Sequence, residues 1–176
     1  ISRSAGRSAV AAAAYRSGDI LTNEWDGITH DYSKKHWIEH TEILLPSNAP
    51  KEFKDRSTLW NAVETAEKSS NAQLAREVEI ALPIELSPQE RLRLLRDYVL
   101  ENFVSKGMCA DFAVHNPPLT DAKGRPIDIN GTPINDISQM IFQNPHAHIL
   151  LTMRPLDREG NWEPKSNTVY LCKRGR

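Results

Sequence analysis

The chain has 176 residues with 22 Lys and Arg, 23 Asp and Glu and six His, so its formal net charge at pH 7 is −1. This length suits a single domain that buries a core, and the near-neutral charge argues against a globally basic nucleic-acid binder. No apolar run reaches the roughly 18 residues that span a membrane, and the start lacks the pattern of a secretory signal. Cys109 and Cys172 form no metal or disulfide motif, so we expect free thiols and a cytoplasmic location.

The first half of the chain predicts two helices, a polar connection and a strand. Ser4 can cap the first helix and Gly18 can end it. The predicted elements are a helix over residues 4–17, a loop or short hairpin over 19–35, an extended segment over 36–45 and a helix over 51–69.

The second half predicts three strands, one strongly capped helix and a long irregular stretch. Ser87, Pro88 and Glu90 form a capping box with proline at the first helical position. The predicted elements are strands over residues 76–83, 108–115 and 146–153, a helix from 87 to about 106, and a possible short strand over 168–172. Residues 116–144 carry turn markers that favour two short hairpins and a helical turn, and we see no internal repeat.

Two histidines lie one residue apart at the start of the 146–153 strand. Because a strand repeats its facing every two residues, His146 and His148 project from the same side. His115 ends the preceding strand, and if the two strands pair antiparallel, it meets the other two histidines at one edge of one face. The sequence therefore predicts a three-histidine metal site, against the alternative of half-exposed strand histidines. Three imidazoles leave positions for substrate oxygens, and they suit Mn, Co, Ni, Cu and Zn better than Mg.

A metal site and a tyrosine together suggest phosphoryl chemistry. Tyr15 is the one large polar-tipped side chain in an alanine-rich helix, although packing alone also explains such a residue. A tyrosyl oxygen can attack a phosphate that a metal polarises. Glu77 and Glu79 share one face of their strand, where either carboxylate can orient a ligand histidine or help to take the proton of the tyrosine.

Three separated segments resemble motifs of one protein family. Residues 2–18 (SRSAGRSAVAAAAYRSG), 76–83 (REVEIALP) and 144–150 (NPHAHIL) resemble, in order, motifs of the MobA/MobL-type (MobQ class) conjugative relaxases of the HUH endonuclease superfamily. The resemblance implies an α+β fold with a central antiparallel sheet, helices on one face and the metal site on the other. It also implies that residues 1–176 form one relaxase domain that lacks the family's first strand and any downstream domain, with 116–144 as an inserted loop.

The same resemblance implies a site and a reaction. Tyr15 matches the nucleophile, His115, His146 and His148 match the metal ligands, and Glu77 and Glu79 match the acidic motif without a choice between them. The implied reaction nicks one strand at a plasmid transfer origin and leaves a 5′-phosphotyrosine link and a free 3′-hydroxyl. The implied cofactor is a divalent ion, Mn or Mg in function, while Zn, Ni or Co can bind.

The implied partners are single-stranded origin DNA, accessory relaxosome proteins and a coupling protein. Phosphate contacts should make the DNA affinity fall with salt, and the predicted DNA-binding residues are Arg3, Arg7, Arg16, Lys34 and Lys35.

Three other functions remain open from the sequence: a rolling-circle replication initiator, a non-catalytic DNA-binding relative, and an ordinary metallohydrolase unrelated to DNA, which would form no covalent adduct. A rolling-circle replication initiator carries its tyrosine after the histidine pair, where Tyr170 is the candidate; Tyr32 is a weaker alternative nucleophile. A non-catalytic DNA-binding relative would bind DNA without cleaving it.

Overall fold

The computed structural model describes residues 1–165, which form a four-stranded antiparallel sheet, a two-stranded hairpin and three α-helices. Short 3₁₀ turns at Arg3–Ala5, Lys51–Lys54, Val104–Lys106 and Ile137–Gln139 join them. The elements in chain order are α1 (Ala9–Ser17), β1 (Ile20–Asn23), β2 (Ile28–Asp31), β3 (Ile38–Leu44), α2 (Arg56–Ala66), β4 (Ala75–Ala81), α3 (Pro88–Asn102), β5 (Ala110–His115) and β6 (His146–Thr152).

The large sheet has the strand order β3–β5–β6–β4, and every neighbouring pair is antiparallel. The two central strands, β5 and β6, are joined by the long connection that the sequence predicts as irregular. The end of β5 therefore lies beside the start of β6. The predicted α+β class with a central antiparallel sheet is confirmed.

Each face of the sheet has its own core. Alternating residues of the two central strands pack with Leu95 and Val99 of α3 on one face. On the other face, Cys109 and Leu150 pack with alanines of α1 and with Leu59 and Trp60 of α2. The expectation of helices on one face alone therefore needs a correction, because α1 and α2 share the face that carries the three histidines. The small side chains of α1 allow this, since they let the helix lie close to the sheet.

The predicted strands differ from the observed ones by at most two residues at each end, whereas the starts of α1 and α2 lie later in the chain than predicted. Helix α1 begins after Ser8, whose Oγ accepts the Ala11 N–H at 3.1 Å, and not after Ser4. Gly6 adopts φ 66° and separates the helix from the preceding 3₁₀ turn. Helix α2 likewise begins after Asp55, with its own 3₁₀ turn in front. The capping box at Ser87 is confirmed. The possible strand over 168–172 lies outside the described residues.

One five-residue loop of the form Asp-x-x-Gly-x occurs three times within residues 1–165, as a turn and not as a repeated unit of several elements. In each copy the aspartate Oδ1 accepts two backbone N–H groups, two and four residues further on, at 2.8–2.9 Å. Two copies make the predicted hairpin turns of the long connection. The copies are residues 121–125, 128–132 and 157–161.

No helix among residues 1–165 combines the length and the apolar character that crossing a membrane requires.

Candidate metal centre and nucleophile

Three histidines meet on one face of the sheet because of the strand register. His115 of β5 pairs with His146 of β6, and Ala113 pairs with His148. The ring centroids of the three histidines lie 4.9–5.6 Å apart. One nitrogen from each ring lies within 4.8 Å of the other two, a spacing that one metal ion can bridge. The structure thus brings together the three residues that the sequence predicts as ligands.

Each of these rings has one nitrogen that points to an oxygen acceptor. His146 Nδ1 donates to the Asn144 carbonyl at 2.8 Å, and His115 Nε2 donates to the Arg16 carbonyl at 2.7 Å. His148 Nδ1 lies 3.0 Å from Glu77 Oε1. Because these acceptors have no hydrogen to give, the ring nitrogens facing them carry the protons. The other nitrogen of each ring then keeps its lone pair, and the three residues fit a divalent ion.

His115 is held in the neutral form that metal binding needs. Burial lowers the pKa of His115 to about 4, and the positive charge of Lys35 and the two neighbouring histidines act in the same direction. An imidazole with this pKa is uncharged at neutral pH, so no proton has to leave before a metal binds.

The two glutamates of β4 differ in their contacts. Glu77 accepts hydrogen bonds from both His148 and the guanidinium of Arg16. The His148 hydrogen bond, followed by the Arg16 contacts, lowers the pKa of Glu77 to about 2, although burial opposes this shift. Glu79 has a side chain that is 64% exposed, and its Oε2 lies 3.8 Å from His148 Nδ1. Glu77 is thus the carboxylate that orients the His148 ring.

Tyr15 lies in the last turn of α1, one residue before Arg16, which contacts the histidine cluster. The residue that follows it, Arg16, provides the carbonyl that His115 contacts. The Tyr15 side chain is 48% exposed, and its ring packs edge-on against Tyr32 with centroids 5.1 Å apart. Lys35 Nζ lies 3.7 Å from the centre of the Tyr15 ring and donates to the Tyr15 carbonyl at 2.8 Å. Burial and the charge of Arg16 lower the pKa of Lys35 to about 8.

Gly18 allows the chain to reverse directly after this turn. Its φ of 74° lies in the left-handed region, and a Cβ atom there would lie 2.7 Å from Ile38 Cδ1. Glycine therefore brings the segment that contains Tyr32 and Lys35 back over the end of α1.

The five residues predicted to bind DNA have different surroundings. Arg3 is paired with Glu64 at 2.8 Å and covers the Trp25 ring, while Arg16 is paired with Glu77. Lys35 lies against Tyr15, as described above. Arg7 and Lys34 are exposed, and neither forms an ion pair within the described part of the chain.

The sequence analysis missed one buried polar group on the face of the histidines. Asp111 of β5 accepts hydrogen bonds from Arg56 at 2.8 and 2.9 Å and from the Trp60 indole at 2.8 Å. Arg56 also reaches Asp19 at 2.6 Å. The strand alternation already places Asp111 on the face of His115, which was the available signal. Its partners lie more than 50 residues away and have no local pattern.

The chain matches one family model and several curated proteins. The MobA/MobL family model matches residues 7–176. Conjugal transfer protein TraA of Rhizobium radiobacter is 37% identical over 169 residues, which are 90% of this chain and 13% of TraA. Mobilization protein MobL of Acidithiobacillus ferridurans is 37% identical over 171 residues, which are 94% of this chain and 44% of MobL. The chain thus spans less than half of either relative.

A solved structure has the same fold and a similar sequence. It is described as "Molecular Basis of Vancomycin Resistance Transfer in Staphylococcus aureus", and its chain superposes with a TM-score of 0.75 at 34% identity. The match covers 96% of this chain and 74% of the solved one. The resemblance that the sequence motifs suggest is confirmed, and the chain belongs to the MobA/MobL family.

Proposed function

We propose that this chain is the DNA-nicking domain of a relaxase that acts at a plasmid transfer origin during conjugative mobilisation. The observation that carries the proposal is the three-histidine cluster, which contacts the last turn of the helix that bears Tyr15. The relatives named for conjugal transfer and mobilisation support the same reading. The ligand is single-stranded origin DNA, and accessory relaxosome proteins and a coupling protein are the proposed partners, in the cytoplasm where plasmid DNA is processed.

The reaction is a transesterification on the DNA backbone. Tyr15 Oη attacks the phosphorus of the scissile phosphodiester, so that a bond from phosphorus to the tyrosyl oxygen forms. The bond from phosphorus to the 3′ oxygen breaks. The tyrosine gives up its proton, and the departing 3′ oxygen takes one up to become a free 3′-hydroxyl. The 5′ end stays on the protein as a phosphotyrosine, and attack by a 3′-hydroxyl reverses the step.

The chain's own residues orient the reacting groups. Glu77 holds His148 in the tautomer that leaves Nε2 free, and its low pKa makes it an orienting anion and a poor proton acceptor. Lys35, above the Tyr15 ring, stabilises negative charge that develops on the tyrosyl oxygen. His115, His146 and His148 would hold Mn²⁺ or Mg²⁺, with Zn²⁺, Ni²⁺ or Co²⁺ able to bind, and such an ion polarises the scissile phosphate.

The experiment that tests this function traps the covalent product. Single-stranded oligonucleotides tiling the transfer region of the host element are incubated with the protein and Mn²⁺, and the adduct is read on a denaturing gel. We expect an adduct with the wild type and a loss of at least 1000-fold, on the order of a nucleophile's contribution, in Tyr15→Phe. The matched control is Tyr32→Phe, which removes a hydroxyl from the ring that packs against Tyr15 and should retain the adduct.

The rival functions predict other outcomes of the same experiment. A rolling-circle initiator loses the adduct in Tyr170→Phe and keeps it in Tyr15→Phe; Tyr170 lies outside the described residues. A non-catalytic relative binds the oligonucleotides but forms no adduct with any metal. Full adduct formation by Tyr15→Phe would refute the assignment of the nucleophile.

A further inference from the structure

A cavity of about 380 Å³ lies between the start of α1 and the β1–β2 hairpin. One wall is formed by Ala12 and Arg16 of α1 together with the N-cap residue Ser8. Arg7, which precedes Ser8, also lines the cavity. His30 of β2 lines the cavity from the hairpin. The cavity therefore runs along the helix that carries Tyr15.

Arg7 and His30 are the two cavity groups whose hydrogen-bonding capacity is unused. Within residues 1–165, the Arg7 side chain forms neither an ion pair nor a hydrogen bond to another side chain. His30 Nε2 is buried and has no hydrogen-bond partner in this part of the chain. A buried polar atom without a partner costs free energy, which a ligand that supplies the missing contact recovers.

The acidic groups of the cavity are already engaged. Glu64 accepts from Arg3 at 2.8 Å and from the Ala9 N–H at 2.7 Å. Asp26 accepts the Ile28 N–H at 2.9 Å within the hairpin turn. Because Glu64 and Ser8 already take N–H groups of the first turn of α1, an anion in the cavity would be held by side chains and not by the helix end. Apart from Arg3 and Arg16, which are paired with Glu64 and Glu77, the charged side chains of the cavity are Arg7 and Asp26, and the Asp26 carboxylate is engaged in the hairpin turn.

Arg16 links the cavity to the histidine cluster. Arg16 lines the cavity, and its carbonyl contacts His115. Arg7 lies just before α1, and at a rise of 1.5 Å per residue the first residue of the helix, Ala9, lies about 10 Å from Arg16 along its axis. A DNA strand with one phosphate at the histidines can therefore place another phosphate at Arg7, a few nucleotides away.

We propose that Arg7 and His30 form a subsite for one backbone phosphate of the bound DNA strand, separate from the scissile phosphate. Arg7 supplies the charge, since a guanidinium recognises phosphate through paired N–H donors. His30 supplies a single hydrogen bond. The identity of the ligand as DNA rests on the proposed function, whereas the anion chemistry of the cavity rests on the contacts above.

The test uses a fluorescently labelled single strand of 12 thymidine nucleotides. Because every nucleotide is the same, the strand presents the same phosphates to the protein wherever along its length it binds. Binding is measured by fluorescence anisotropy over a series of salt concentrations for the wild type, Arg7→Gln and His30→Phe. We expect Arg7→Gln to weaken binding about tenfold, as for a charged hydrogen bond. It should also reduce the slope of log K against log salt by about 0.7, the contribution of one phosphate on a single strand. His30→Phe should weaken binding about threefold, as for a neutral hydrogen bond.

Arg93→Gln is the matched control, since Arg93 is an exposed arginine on α3, which packs on the other face of the sheet. Equal affinities and salt slopes for Arg7→Gln and Arg93→Gln would overturn the subsite, as would the absence of wild-type binding at low salt. These outcomes are independent of the nicking experiment. Binding that depends on Arg7 but gives no covalent adduct would support the subsite and refute the proposed function. A covalent adduct together with binding that does not depend on Arg7 would support the proposed function and refute the subsite.

Discussion

At the residue scale, Glu77 connects the two halves of the candidate site. Its carboxylate binds Arg16, which follows the proposed nucleophile, and also binds the ring of His148. A change at this single carboxylate therefore reaches both the helix that carries Tyr15 and the cluster of three histidines. Glu79, two residues further along the same strand, has no comparable pair of contacts and is mostly exposed.

Metal affinity separates the two glutamates. We expect Glu77→Gln to weaken the binding of Mn²⁺ or Co²⁺ tenfold or more, because carboxylates that orient ligand histidines have effects of about 10–100-fold. Glu79→Gln, the matched control on the same face, should change the affinity less than about twofold, as expected of a solvated carboxylate. Isothermal titration calorimetry of the two variants measures this difference. Equal losses in both would contradict the distinct role of Glu77.

At the element scale, the strands and the start of α3 were predictable, and the starts of α1 and α2 were not. Alternation identifies the faces of β4, β5 and β6 because each strand contrasts buried apolar residues with polar ones at a period of two. The start of α1 was misplaced because Ser4 and Ser8 are equally good caps in sequence, and the choice depends on Gly6 and on Glu64 of another helix. Local residues therefore determine the existence of an element, whereas its ends depend on distant contacts.

The ion pair between Arg56 and Asp111 joins helix α2 to the central strand β5. We expect Asp111→Asn to lower the free energy of unfolding by about 3 kcal/mol, since the guanidinium of Arg56 loses its buried counter-charge and keeps only Asp19. The double variant Arg56→Met/Asp111→Leu removes both charges and should lose less than the single one. Urea unfolding followed by circular dichroism measures both. A double variant less stable than Asp111→Asn would show that packing, and not the unpaired charge, dominates.

At the scale of the whole molecule, the histidine set was predictable and its surroundings were not. Strand period and one antiparallel pairing suffice to bring His115, His146 and His148 together, so the sequence alone leads to the cluster. The contact of Lys35 with Tyr15 and the difference between Glu77 and Glu79 depend on how α1 lies against the sheet. No local pattern encodes that placement.

Glu67 ties together distant parts of the chain and should make stability depend on pH. Its carboxylate accepts from Arg154 at 2.7 Å and from Lys165 at 2.9 Å, and its carbonyl accepts from Arg3. Burial alone would raise the pKa of Glu67, but the hydrogen bonds from Arg154 and Lys165 outweigh burial and lower it below the ordinary 4.5. A carboxyl whose pKa is lower in the folded state stabilises the fold above the unfolded pKa, and this contribution disappears as the pH falls through the folded value.

We therefore expect Glu67→Gln to be less stable than the wild type at pH 7, with a difference that shrinks as the pH falls below about 4.5. Urea unfolding at pH 7, 5 and 3.5 measures the difference. The control Glu52→Gln changes an exposed glutamate and should alter stability by no more than about 0.5 kcal/mol at any pH. If the loss in Glu67→Gln were the same at pH 7 and pH 3.5, the ionised carboxylate would not be its source. The effect would then come from the changed hydrogen bonding with Arg154 and Lys165, because glutamine preserves the volume of the side chain but replaces one acceptor oxygen with a donor NH2 group.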